Sequence, residues 1–178
     1  MVRGREGIAG ALLVGGASSR FGSPKALARY EGEMLAERAY RVLSEAFERV
    51  VVVGKAADGL ELPFPVLDDG SETRAAIVGV AAAIRHADAE VVVVLPTDMP
   101  FVDAELLRAL ALAAEGAEAA VPHSGPLPGA YSRSALPALE RRIAEGDLAL
   151  YRACIELEPR TVQWDETALR NVNTPEDL

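Results

Sequence analysis

The stretch Leu12 to Lys25, LLVGGASSRFGSPK, sets glycines, small residues and two cations directly after an apolar run. Glycine has no Cβ and tolerates positive φ, so Gly15, Gly16 and Gly22 let backbone N–H groups come close to a ligand. Such a loop can wrap a polyphosphate. Arg20 and Lys25 would set two positive charges against it in a chain of formal net charge −9. The expected ligand is a nucleoside triphosphate at the C-terminal edge of a first strand. The plainer alternative is a Gly-rich turn with two solvated basic residues. The spacing is not that of a Walker A loop, because Ser23 and Pro24 separate Gly22 from Lys25. Nor do Gly15, Gly16 and Gly22 fit the G-x-G-x-x-G dinucleotide fingerprint.

Asp98 is the second position with chemistry. It follows a run of four valines and a leucine, and Pro96 and Pro100 flank it. A carboxylate just past the C-terminal end of a buried strand sits where open α/β sheets bind ligands. There it can hold Mg²⁺ against nucleotide phosphates, since Mg²⁺ takes one or two carboxylates plus phosphate oxygens and water. The alternative is an aspartate that stabilises a turn or caps a helix. Asp68 closes a shorter apolar run at the same expected edge and could touch ribose, base or metal. Asp58, Asp69 and Glu72 read as solvated loop charges, while Thr73 and Arg74 stand where they could meet substrate. His86 and His123 read as surface or loop residues, and Cys154 as a small core residue.

These positions need a scaffold, and the patterning supplies one. Ile8 to Val14, Arg49 to Val53 and Glu90 to Leu95 are apolar runs of the kind found in strands buried on both faces. Shorter strands are expected at Pro65 to Asp68, Ala117 to Val121 and Arg160 to Trp164, with an extended segment at Gly129 to Tyr131. Apolar spacing of three and four predicts helices over Glu33 to Phe47, Ala75 to His86 and Ala135 to Glu145. Asp103 is expected to cap a helix reaching Ala114, Asp147 a short helix toward Ala153, and Thr174-Pro175 to start a last one. Alternating strands and helices predict an α/β, mainly parallel, Rossmann-like sheet with helices on both faces. The whole chain, 1–178, is expected to be one domain. Its nucleotide half would be about 1–100 and its acceptor half about 101–178.

Composition narrows the function. The acidic balance argues against nucleic-acid or anionic-membrane binding. One cysteine allows no internal disulfide and fits a reducing compartment. The apolar run near the N-terminus is too short for a signal peptide or a membrane span. A cytoplasmic location is expected. No Cys/His cluster has zinc spacing.

The motif L-x-G-G-x-S-x-R-x-G-x-x-K at Leu13 to Lys25 resembles the signature of the molybdenum cofactor guanylyltransferases. LPTDMPF at Leu95 to Phe101 is similar to that family's aspartate turn. PLPGAYSRSAL at Pro126 to Leu136 and NVNTPEDL at Asn171 to Leu178 resemble two further segments. The resemblance implies a nucleotide-diphospho-sugar-transferase-like fold. It also implies that Leu13, Val14, Gly15, Gly16, Lys25, Asp68 and Asp98 contact GTP, with Asp98 on Mg²⁺ and molybdopterin as acceptor. Transient contacts with proteins that deliver or receive the cofactor would go with that role. Three departures stand out. AAIVG at Ala75 to Gly79 replaces a G-P-L-A-G-like stretch, Gly54 stands where the family often has Asn, and Pro24 precedes Lys25 where the family often has Asp.

The expected reaction is attack of an acceptor phosphate oxygen on the α-phosphorus of GTP, with pyrophosphate leaving. Arg20, Lys25, Asp98 and Mg²⁺ would stabilise the charge that develops. FGSPK at Phe21 to Lys25 looks more like the related cytidylyltransferases, whereas Gly15-Gly16 and the Asn-rich tail resemble the guanylyl type. GTP is therefore favoured over CTP. A phosphosugar acceptor and a non-catalytic nucleotide-binding module are the remaining alternatives.

Overall fold

The computed structural model describes residues 7–15 and 24–178. Its centre is β1 (Ile8–Leu13), flanked in parallel by β4 (Val50–Gly54) and β6 (Val91–Pro96). Two short strands, β2 (Arg29–Tyr30) and β3 (Glu33–Met34), form a separate hairpin. The other strands are β5 (Leu67–Asp68), β7 (Ala119–Pro122), β8 (Gly129–Ser132) and β9 (Arg160–Val162). The main sheet runs β5-β4-β1-β6-β8-β7-β9. Only β8 is antiparallel to its neighbours, pairing Val92 with Tyr131 on one side and Ala119 with Tyr131 on the other. The expected α/β sheet, mainly parallel with helices on both faces, is the one observed.

Side chains of a strand alternate between faces, and β1 divides its own accordingly. Ala9, Ala11 and Leu13 join one core with α2 (Ala76–Ala87), α4 (Leu136–Ala144) and α5 (Leu150–Glu156). Leu12 and Val14 join the other with α1 (Leu35–Ala46) and α3 (Ala104–Ala113). β1 is apolar on both faces because both are covered.

Some element ends differ from the sequence expectation. Glu33 does not begin α1. Glu31 and Gly32 both take positive φ, 51° and 83°, which makes the tight turn between β2 and β3. Glu33 instead pairs with Tyr30 in the hairpin, and its carboxylate meets Arg38 and Arg41 of α1. Asp147 does not cap α5: Ala149 holds the N-cap position, and the Asp147 carboxylate pairs with Arg142 and Arg152. After Thr174 there is a single 3-10 turn, Pro175–Asp177, rather than a longer helix. Asp103 does cap α3, accepting the Leu106 N–H at 2.8 Å. Cys154 is buried, as expected of a small core residue. No described helix is long and apolar enough to cross a membrane.

Candidate functional site

From β1 the chain goes through α1 to β4 on one side. From β6 it goes through α3 to β7 on the other. The crevice outside the carboxyl ends of β1 and β6 is therefore a topological switch point, where open α/β sheets bind ligands. A cavity of about 620 Å³ opens there. Leu13, Val14 and Gly15 line it from the end of β1, and Pro96 to Met99 from the end of β6. Gly54 and Lys55 come from the end of β4, Asp69 and Arg74 from the segment between β5 and α2. Ser124 to Leu127 precede β8, and Asn171 and Asn173 come from the tail.

β6 ends at Pro96, and the next residues turn into the cavity with Thr97 and Met99 buried on either side of Asp98. Asp98 Oδ2 lies 3.8 Å from the Lys25 Nζ, which enters from the first residue of the 3-10 turn Lys25–Leu27. Asp98 Oδ1 is buried and has no hydrogen-bond partner among the described residues. Burial raises the carboxyl pKa above its ordinary value, opposed by the nearby Lys25 charge and by a backbone N–H. Capping of α3 falls to Asp103, so that duty does not account for Asp98.

The tail supports this turn from behind. The Val172 N–H donates to the Asp98 carbonyl oxygen at 2.7 Å, and the Val172 side chain is fully buried. The Arg170 guanidinium lies 4.6 Å over the Phe101 ring. Asp177 accepts the N–H groups of Asn173 and Thr174 at 2.8 and 2.9 Å, closing the tail into its final turn. On local patterning Asn171 to Leu178 reads only as a helix start, and its weight in sequence comes from the family resemblance. Its packing against the β6 turn is a long-range contact that no local pattern encodes.

Of the residues singled out in sequence, Leu13, Val14, Gly15, Lys25, Arg74 and Asp98 meet at the cavity, and Thr73 is not among its lining residues. Gly16 and Arg20 lie outside the described residues, as does Gly22. Asp68 is exposed and is not among the cavity-lining residues. Its carboxylate accepts the N–H groups of Ala56 and Gly70 at 2.8 and 2.9 Å, which hold its pKa below the ordinary range. Its neighbour Asp69, read as a solvated charge, is instead 8% exposed and lines the cavity. It pairs with Lys55, 9% exposed, at 2.8 Å. The sheet brings the pair together: Lys55 and Asp69 each follow directly on the end of adjacent parallel strands, one step beyond the Gly54–Asp68 register pair. The loop charge Asp58 is also engaged, pairing with Arg74.

Gly54 has a steric reason. A Cβ there would lie 2.7 Å from Val14 Cγ2 and 3.2 Å from Val66 Cγ1. A Cβ on Gly15 would come within 3.8 Å of the Gly54 Cα. The two glycines back one another and leave bare backbone on that side of the cavity.

A mainly parallel sheet with a cavity at its switch point, and a cation and a half-buried carboxylate facing each other there, is an arrangement the chain shares with nucleotidyltransferases. The chain belongs to the MobA-like NTP transferase domain family, whose profile matches residues 10–160. It is 34% identical over 173 residues to a probable molybdenum cofactor guanylyltransferase of Aquifex aeolicus, covering 94% of this chain and 86% of that one. A probable molybdenum cofactor guanylyltransferase of Opitutus terrae is 35% identical over 186 residues, covering 96% and 92%. Molybdopterin-guanine dinucleotide biosynthesis protein A from Archaeoglobus fulgidus superposes with a TM-score of 0.82 at 30% identity, over 95% of this chain and 94% of that one. The 2-C-methyl-D-erythritol 4-phosphate cytidylyltransferase of Thermus thermophilus has a TM-score of 0.73 at 22% identity, over 95% and 94%, and shares the fold.

Proposed function

We propose that this chain transfers GMP from GTP to molybdopterin, with Mg²⁺, and releases pyrophosphate. The observation that carries the reading is the Asp98 carboxylate inside a cavity at the switch point, with Oδ2 facing Lys25 and Oδ1 buried without a partner among the described residues. A buried carboxylate oxygen without a partner is costly unless something cationic occupies it during function. Among the described residues no cluster of three or more His, Cys, Asp or Glu is arranged to hold a metal alone. A single carboxylate still fits Mg²⁺, which draws its other ligands from phosphates and water. Bound there, the ion would supply charge stabilisation on the phosphoryl oxygens.

The protein's own residues have defined tasks in this scheme. Gly15 brings backbone close to the nucleotide, with Leu13 and Val14 beside it. Lys25 places a fixed positive charge where negative charge grows on the α-phosphoryl and leaving oxygens. An acceptor oxygen forms the new bond to the α-phosphorus as the bond to pyrophosphate breaks. A phosphate monoester is largely ionised at neutral pH, so no protein nucleophile is needed. Cys154 is buried in the core that packs against α2, and burial pushes its thiol pKa up. Guanine and molybdopterin are assigned from the relatives' names together with the motifs at Leu13 to Lys25 and Asn171 to Leu178. The proteins that hand over or receive the cofactor would meet this chain only transiently.

The test is calorimetric titration with Mg²⁺, comparing GTP with CTP, followed by pyrophosphate release on adding molybdopterin. GTP preference with release supports the assignment. CTP preference moves the donor to cytidylyl, and binding without release leaves a nucleotide-binding module. Lys25→Ala is expected to weaken GTP binding about tenfold to a hundredfold, the worth of a charge-assisted phosphate contact. Unchanged GTP affinity in that variant would remove Lys25 from the site.

A further inference from the structure

The cavity has two charged poles. Lys25 and Asp98 stand at the ends of the β1 and β6 side, and Lys55 and Asp69 at the β4 and β5 side. β6 and β4 flank β1, so the poles are separated by two strand spacings, about 10 Å. Phosphates placed at the first pole put the base end of a nucleotide at the second. Between them lies the bare backbone of Gly15 and Gly54.

At the second pole the Lys55 ammonium is fully engaged. Lys55 Nζ donates to Asp69 Oδ1 at 3.0 Å, to Asp69 Oδ2 at 2.8 Å and to the Ser71 carbonyl at 2.7 Å. An ammonium has three protons, so Lys55 has none left for a ligand. Asp69 Oδ1 also accepts the Ser71 N–H at 3.0 Å, and the Asp69 N–H donates to the Gly54 carbonyl at 2.8 Å. Among the described residues Oδ2 takes only the Lys55 bond, which leaves it one acceptor position. Burying an ion pair costs desolvation and is a weak source of stability. Here it fixes the geometry of a cavity wall.

We propose that Lys55 is a positioning residue for nucleobase selection. Resting on the reading of the cavity as a nucleotide site, Lys55 acts through Asp69. It locks that carboxylate and the segment leading to α2 in one arrangement, so that the open acceptor position on Oδ2 stands at one point and is met only by a base whose edge carries its N–H there. A fixed acceptor discriminates because a base with its donor elsewhere leaves the buried carboxylate oxygen unpaired.

The experiment measures the affinities of the full chain for Mg-GTP and Mg-CTP by calorimetry, alongside thermal melting. Wild type is expected to prefer one base clearly. Lys55→Met is expected to shrink that preference about tenfold, and Lys55→Arg to restore part of it. Lys55→Met strands the Asp69 charge, so its melting temperature falls. The double variant Lys55→Met/Asp69→Asn removes that charge. It should regain stability without regaining the preference, and it carries the test if the single variant does not fold. A preference unchanged in Lys55→Met, or restored together with stability in the double variant, overturns the assignment. So do equal wild-type affinities for both nucleotides. Wild type binding neither nucleotide overturns the nucleotide reading itself, and this inference with it.

Discussion

Asp98→Asn is expected to abolish turnover and, in the same molecule, to raise thermal stability at neutral pH. The carboxylate is half-buried, one oxygen has no partner among the described residues, and Lys25 at 3.8 Å compensates only in part. Its folded pKa therefore lies above the ordinary value, chiefly through burial. The sign follows from linkage. A carboxyl whose pKa rises on folding contributes stability at low pH and loses it as pH climbs through the folded value. At neutral pH the ionised group costs stability that the neutral amide does not. Melting curves without metal, taken from about pH 8 to about pH 4, should show the variant ahead at the alkaline end. The gap should close as the wild-type carboxyl protonates. Turnover should fall about a thousandfold or more, the several kcal/mol expected of a metal-holding carboxylate. A variant with near-normal turnover would displace Asp98 from the chemistry. One that melts lower than wild type throughout would show that the carboxylate is structurally satisfied.

Ending the chain after Arg170 should disable the site while the sheet survives. The cut removes Val172, whose fully buried side chain contributes about 2 kcal/mol. It also removes the Val172 N–H bond to the Asp98 carbonyl, about 1 kcal/mol. Together these correspond to a fall in melting temperature of about 6–12 °C for a domain of this size. No strand of the main sheet is lost, since β9 ends at Val162. Far-ultraviolet dichroism should therefore stay close to that of the full chain. Loss of turnover is expected because the turn carrying Asp98 loses its backing and Asn171 and Asn173 leave the cavity. A truncated chain with full turnover and an unchanged melting temperature would make the tail dispensable.

The long apolar strands were legible because burial on both faces writes itself as unbroken runs, as in Val91 to Leu95. Their adjacency was legible too, since helical crossovers force a parallel sheet. From those two facts Lys25 and Asp98 could be expected at one edge, and they lie there. What local patterning does not carry is the pairing of side chains across elements. Asp69 looks like any loop aspartate until β5 is set beside β4 and Lys55 arrives opposite it. Asp68, one residue earlier, turns outward to bind backbone N–H groups, because successive residues along an extended chain face opposite ways. The hairpin ahead of α1 was missed for a different reason. Its turn puts both Glu31 and Gly32 at positive φ, and only the glycine is a residue type that favours it.

Val14 and Gly54 occupy one another's space, and this limits how the sequence can change. Any side chain added at position 54 meets Val14 Cγ2 at 2.7 Å before it reaches the cavity. A larger residue at 54 can be accommodated only after position 14 has become smaller. The reverse order passes through a misfit intermediate. The two positions are thus available to mutation in one order only, and a lineage that swaps a bare floor for a side chain at position 54 has to shorten residue 14 first.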